Sequence, residues 1–138
     1  MILILDSNIL IAALMREGHI RKLIATLPFP LFFPEIFLEE IRKYEVTILQ
    51  KSGLDKLSYD ELLRTLLQHV TILPNELLEN NLFEAEKVMK HIDVKDAPLI
   101  AAAFAVEDSI IWSDDPDLKR QIEIRSVTTQ EVSTLLSA

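Results

Sequence analysis

Met1-Ile2-Leu3-Ile4-Leu5-Asp6-Ser7-Asn8 opens the chain with an unbroken apolar run that halts at a carboxylate. A strand with one wet face alternates apolar and polar residues, whereas a continuous apolar run belongs to a strand covered on both faces, as in a parallel sheet between layers of helices. Leu31 to Phe33, Val70 to Leu73 and Ile110 to Trp112 read the same way, each too short for a helix and each closed by a polar residue or a proline. Ile124 to Val127 is a weaker fifth candidate.

Helical patterns fill the intervals. Asn8 to Met15 and Ile20 to Leu27 carry spaced apolar residues, and Pro34 is placed as the first-turn proline of a helix through Ile36, Phe37 and Ile41. Ser58-Tyr59-Asp60-Glu61 has the form of a capping box ahead of Leu62, Leu63, Leu66 and Leu67. Asn81 to Met89, Ala97 to Val106 and Thr129 to Leu136 complete the set. Strands alternating with helices close through right-handed crossovers. The expectation is therefore one domain over residues 1–138, a three-layer α/β/α fold around a mostly parallel sheet of about five strands.

Composition narrows the function. A chain of 138 residues with 49% hydrophobic content builds one sizeable core. With 22 acidic and 14 basic residues, a net charge of −8, it does not hold nucleic acid by bulk electrostatics, so any such chemistry needs a local site. The absence of cysteine excludes disulfides, thiolate metal sites and cysteine nucleophiles, and Gly18 and Gly53, the two glycines, provide no glycine-rich phosphate loop. The first five residues lack a basic leader, and the longest later apolar run, Pro98 to Val106, is far below the roughly 20 residues of a membrane span. A cytoplasmic protein without a membrane partner is expected.

In such a fold the helix after each strand starts at the carboxyl edge of the sheet, where ligands bind. Asp6 ends the first strand, Glu40 falls about two turns into the helix after the second, Asp96 opens the helix leading to the fourth, and Asp115 follows the fourth after Ser113 and Asp114. Each has an ordinary role open to it as a helix cap or a solvated side chain. Together, four carboxylates are expected on one edge with no matching cluster of Arg or Lys nearby. Carboxylates within ~4–6 Å repel and raise one another's pKa unless a cation neutralises them. Mg²⁺ takes carboxylate ligands while keeping several waters, and Mn²⁺ accepts the same oxygens, so the pattern points to metal-assisted hydrolysis of a phosphodiester. His19, His69 and His91 lack the paired spacing of a histidine metal motif.

Four stretches occur in a telling order: Asp6-Ser7-Asn8; Pro34-Glu35-Ile36-Phe37-Leu38-Glu39-Glu40-Ile41; Asp93-Val94-Lys95-Asp96-Ala97-Pro98-Leu99-Ile100-Ala101-Ala102-Ala103; and Ile111-Trp112-Ser113-Asp114-Asp115-Pro116-Asp117-Leu118. Across nearly the whole chain they resemble the PIN-domain family of metal-dependent ribonucleases, which includes toxins of toxin–antitoxin pairs and RNA-processing enzymes. The resemblance implies an endoribonuclease with Asp6, Glu40, Asp96 and Asp115 as catalytic metal ligands for Mg²⁺ or Mn²⁺. Asn8, Ser113, Asp93 and Asp117 would support them, with Ser113 where the family has threonine and Leu118 where it has phenylalanine. Glu40 fits better than Glu39 because an aliphatic residue follows it; Asp114 and Asp117 remain alternatives to Asp115. A sheet order of 3-2-1-4-5 is implied, as are an RNA substrate and an antitoxin protein partner.

Other small α/β proteins with acidic edges fit less well. A receiver domain needs paired acids after its first strand and an aspartate after its third, and a haloacid-dehalogenase-type phosphatase needs a second aspartate where Asn8 stands. The alternative from another class is a non-catalytic interaction module on the PIN scaffold. The stripe from Leu62 to Val70 reads as core that is wide enough to serve a homodimer. Arg16, Arg21, Lys22, Lys119 and Arg120 are candidates for contacts to RNA phosphates, or else a solvated face.

Overall fold

The computed structural model describes residues 1–15 and 18–137, which leaves Arg16 outside the described residues. Strand β1 (Ile2–Leu5) leads into helices α1 (Ser7–Met15) and α2 (Gly18–Thr26), then β2 (Leu31–Pro34), α3 (Phe37–Lys43), α4 (Glu45–Ser52) and α5 (Lys56–Leu67). The second half runs β3 (Thr71–Leu73), α6 (Asn75–Met89), a 3-10 turn at Val94–Asp96, α7 (Ala97–Ala105) and β4 (Ser109–Trp112). A second 3-10 turn at Pro116–Arg120, β5 (Ser126–Val127) and α8 (Thr129–Ser137) follow.

All strand pairs are parallel, in the order β3-β2-β1-β4-β5, the order that the family resemblance implies. β1 sits in the middle, with Leu3 beside Leu31 and Ile110, and Leu5 beside Trp112. Leu3, Ile4 and Leu5 have no exposed surface, which accounts for the unbroken apolar run: over these residues neither face of β1 meets water. α7 covers this part of the sheet with Leu99, Ile100, Ala101 and Ala102 all fully buried, and its alanines let a helix lie close. No helix among the described residues is long and apolar enough to cross a membrane.

Local details depart from the sequence expectation. Pro34 does not open a helix; it ends β2 in register with Leu73. A proline serves there because the next ladder bond comes from the Glu35 amide, which donates to the Leu73 carbonyl at 2.9 Å. α3 consequently starts at Phe37, and Glu40 lies one turn into it rather than two. The cap of α5 is Asp55, whose carboxylate accepts the Ser58 amide at 2.7 Å, so the helix starts ahead of the expected capping box. α6 starts at Asn75, directly after Pro74 and well before Asn81. α4 has no counterpart in the sequence reading because Ile48 is its only buried residue, too little for a visible apolar stripe. Gly53, at φ 72°, ends it in the left-handed conformation that glycine adopts without strain. In the leucine stripe Leu66 is buried, while Leu62, Leu63 and Leu67 pack half-buried against the core.

The Asp55 cap gives a direct test. Asp55→Ala lowers the melting temperature more than Ser58→Ala does. The hydrogen bonds from Ser58 hold the Asp55 carboxyl below its ordinary value of 3.8. Its contribution is therefore fully present above that value and lost as pH falls through the lower folded-state one, so thermal melts of the Asp55→Ala and wild-type proteins converge on acidification.

Candidate active site

β1 and β4 run side by side and deliver their next residues to one edge. Asp6, 5% exposed, accepts a hydrogen bond from the Ser113 hydroxyl at 2.7 Å and others from the Ser7 and Asn8 amides. Ser113 in turn accepts from the Asp115 amide at 3.1 Å and from the Asn8 side-chain amide at 3.4 Å. One buried hydroxyl thus fixes the Asp6 carboxylate, the Asn8 side chain and the turn that carries Asp115. The Ser7 hydroxyl donates to Glu40 at 2.7 Å and lies 3.4 Å from Asp6. Having one proton, it serves mainly Glu40. Ser7 belongs to the quoted opening motif, but nothing in the sequence reveals its partner 33 residues away.

Asp96 opens α7 from the end of a 3-10 turn, and its Oδ2 is buried without a hydrogen-bond partner. Burial, and then the charges of Asp6, Asp115, Asp93 and Asp117, push its pKa up to about 7. Burial also raises Asp6, against the hydrogen bonds it accepts from Ser113, Ser7 and Asn8. Five acids are therefore close enough for their charges to matter to Asp96 or to include it. Asp93 accepts the Lys95 amide at 3.1 Å, and Asp117 pairs with Arg120 at 3.5 Å.

The three neighbouring aspartates after β4 separate by role. Asp114 turns to α8, accepting the Thr129 amide at 2.7 Å and the Thr129 hydroxyl at 2.6 Å. That hydroxyl also receives the Trp112 indole N–H at 3.1 Å. Asp115 lines the cleft and caps its own 3-10 turn through the Asp117 amide at 2.9 Å.

Asp6, Glu40, Asp96 and Asp115 all line one open cleft of about 500 Å³. It continues into a lobe of about 340 Å³ where Asp93, Lys43 and Lys95 join Asp6, Glu40 and Asp96. Among the described residues no three Asp, Glu or His side chains are drawn together closely enough to hold an ion as they lie. Glu40 is turned onto Ser7 and Asp115 onto the Asp117 amide. The donor set nevertheless suits a hard divalent cation: oxygen ligands throughout, mutual repulsion, and one buried carboxylate oxygen with nothing to bond. His19 bonds to Ser133 at 2.7 Å, and His69 and His91 are exposed.

The basic residues expected near the site lie elsewhere or are occupied. Arg21 donates to the carbonyls of Ala13 and Leu14 at the end of α1. Lys119 pairs with Glu131 at 2.6 Å, and Arg120 with Asp117. Neither they nor Lys22 lines the cleft; the lysines that do are Lys43, Lys51 and Lys95. Lys51 lies on α4, the helix the sequence does not reveal.

Comparison with known proteins matches the sequence profile of the PIN domain to residues 4–137. No curated protein sequence is similar enough to count as a relative. The crystal structure of VapBC2 from Rickettsia felis bound to a DNA fragment from their promoter superposes with a TM-score of 0.66 at 17% identity, covering 93% of this chain and 98% of that one. That likeness is one of fold.

The crowding of acids predicts a pH dependence of stability for the metal-free protein. A carboxyl whose folded-state pKa is raised stabilises the fold at low pH and loses that contribution as pH rises through the folded value, for Asp96 about 7. Thermal melts in EDTA therefore give a higher melting temperature at pH 5.5 than at pH 8, as arbitrary points on either side. Asp96→Asn raises the melting temperature at the alkaline point and flattens the dependence.

Proposed function

Because the chain belongs to the PIN-domain family, whose members are generally nucleases, we propose that it is an endoribonuclease that uses Mg²⁺ or Mn²⁺ to hydrolyse RNA phosphodiester bonds. The observation that carries this reading is Asp96: a buried carboxylate oxygen without a partner, its proton held up to about pH 7 by burial first and then by the acids around it. Such an arrangement is costly by itself and becomes favourable once a divalent cation is bound. Asp6, Glu40, Asp96 and Asp115 would hold the cation, which when bound supplies Lewis-acid polarisation of the phosphoryl group and activation of water.

The rest is done by the chain. Ser113 holds the Asp6 carboxylate and the Asp115 backbone in a fixed relation, and Asn8 holds Ser113. Ser7 keeps Glu40 turned toward Asp6. Asp93 and Asp117 add negative charge beside the ligands and so raise the demand for a cation. Single-stranded or loop RNA suits this open cleft, since a flexible backbone can align the attacking oxygen, phosphorus and leaving oxygen where a stacked helix resists.

We further propose that the chain is the toxin of a toxin–antitoxin pair acting in the cytoplasm. The solved complex of similar fold pairs VapBC2 with promoter DNA. With a charge of −8 this chain is poorly suited to hold DNA itself, so an antitoxin partner would supply that contact.

Purified protein incubated with structured and single-stranded RNAs in Mg²⁺ or Mn²⁺ tests the proposal. Cleavage is expected, abolished by EDTA, by Asp96→Asn and by Asp115→Asn. Ser113→Ala, which removes only the support of two ligands, lowers activity by about 10- to 100-fold. Asp114→Asn keeps activity and loses thermal stability at α8. Cleavage that survives in EDTA or in Asp96→Asn would overturn the mechanism, and no cleavage of any RNA would favour an interaction module on the same scaffold.

A further inference from the structure

Tyr44 lines both lobes of the acidic cleft and is 51% exposed. It sits at the junction of α3 and α4, and its amide donates to the Glu40 carbonyl at 3.2 Å. Residues four apart on a helix share a face, so the phenol rises from the same side as the Glu40 carboxylate. Its hydroxyl bonds to no described residue, and about half of the residue is exposed, so the fold makes little use of it. On one side of Tyr44 the cleft has an apolar floor of Ile11, Ala12 and Met15 from α1. On the other, Lys43 and Lys95 line a lobe with four acids, Asp6, Glu40, Asp93 and Asp96, without pairing with any described carboxylate.

An exposed aromatic ring beside an apolar floor suits a flat apolar group, and unpaired lysines next to it suit an anion. A nucleotide of single-stranded RNA presents both, a base and its neighbouring phosphate. From this juxtaposition, and resting on the nuclease reading above, we infer that Tyr44 is a base-stacking residue that holds one unstacked base over the Ile11, Ala12 and Met15 floor while Lys43 and Lys95 take the adjoining phosphate. Tyr44 positions the strand and does not take part in the chemistry. It makes the enzyme select unpaired nucleotides, because a base held in a duplex cannot reach the ring.

The test is equilibrium binding at low salt, by fluorescence anisotropy, of a fluorescein-labelled oligoadenylate and an abasic oligonucleotide of the same length. All proteins in the binding measurements carry Asp96→Asn with Mg²⁺ present, so that hydrolysis is absent from them, and the unsubstituted protein is assayed separately for cleavage. Tyr44→Ala is expected to weaken oligoadenylate binding by roughly 5- to 150-fold, the range for one base–aromatic stack. Tyr44→Trp binds as tightly as the parent or tighter, and the abasic strand binds weakly and equally to all three. Melting temperatures of the variants stay close to the parent, which separates stacking from a structural role. Equal binding of oligoadenylate by Tyr44→Ala, or an equal loss for the abasic strand, would overturn the inference. If only the stacking is wrong, the unsubstituted protein still cleaves RNA while Tyr44→Ala binds undiminished. If the nuclease reading is wrong, no protein of the set binds oligoadenylate and the unsubstituted protein leaves it intact.

Discussion

A central strand with no exposed side chain can place polar residues only at its ends, and this constraint organises the molecule. Leu3, Ile4 and Leu5 are sealed between two helical layers, so the chain reaches its first tolerable position for a carboxylate at Asp6. Because β4 runs parallel beside β1, Ser113 and the turn carrying Asp115 emerge at the same edge. α7, packed over the sheet through its alanines, delivers Asp96 there as well. The crowding of acids is thus a product of parallel topology, and it costs the fold something that a more dispersed arrangement would avoid.

That cost is contained by hydroxyls in place of cations. Ser113 meets three neighbours of the site and Ser7 two, and the hydrogen bonds they give Asp6 oppose the effect of burial on its proton. An arginine or lysine in their position would have neutralised the acids and closed the site to other cations. Lys43 and Lys95 line the cleft without pairing with any described carboxylate. The site is left negative at its centre and positive at part of its rim, the order a phosphodiester backbone needs if a divalent ion is to lie between it and the protein.

The architecture was legible because the apolar runs are continuous and short, a signal that depends on burial alone. Asp6, Asp96 and Asp115 stand out because each lies at a strand end or helix start, whereas Glu40, inside α3, is singled out by the family resemblance. What the sequence hid was decided by distant partners. Asp114 and Asp115 look alike in the chain and differ because Thr129 claims one of them. Ser7 finds Glu40 across β1 and α3. Pro34 reads as a helix start and ends a strand, since the ladder bond falls to Glu35. α4 escaped because it buries a single side chain, and with it went Lys51, Thr47 and the setting of Tyr44.

Trp112 is the only tryptophan in the chain, and it is wholly buried. Its indole N–H is bonded to Thr129, which Asp114 also grips, and the next residue is the hydroxyl that orients Asp6. An indole's emission follows the local electric field and the hydrogen bond at its nitrogen. The protein therefore carries a built-in optical reporter, one residue from its charged centre and tied to its C-terminal helix, whose colour and intensity register changes at either without any label.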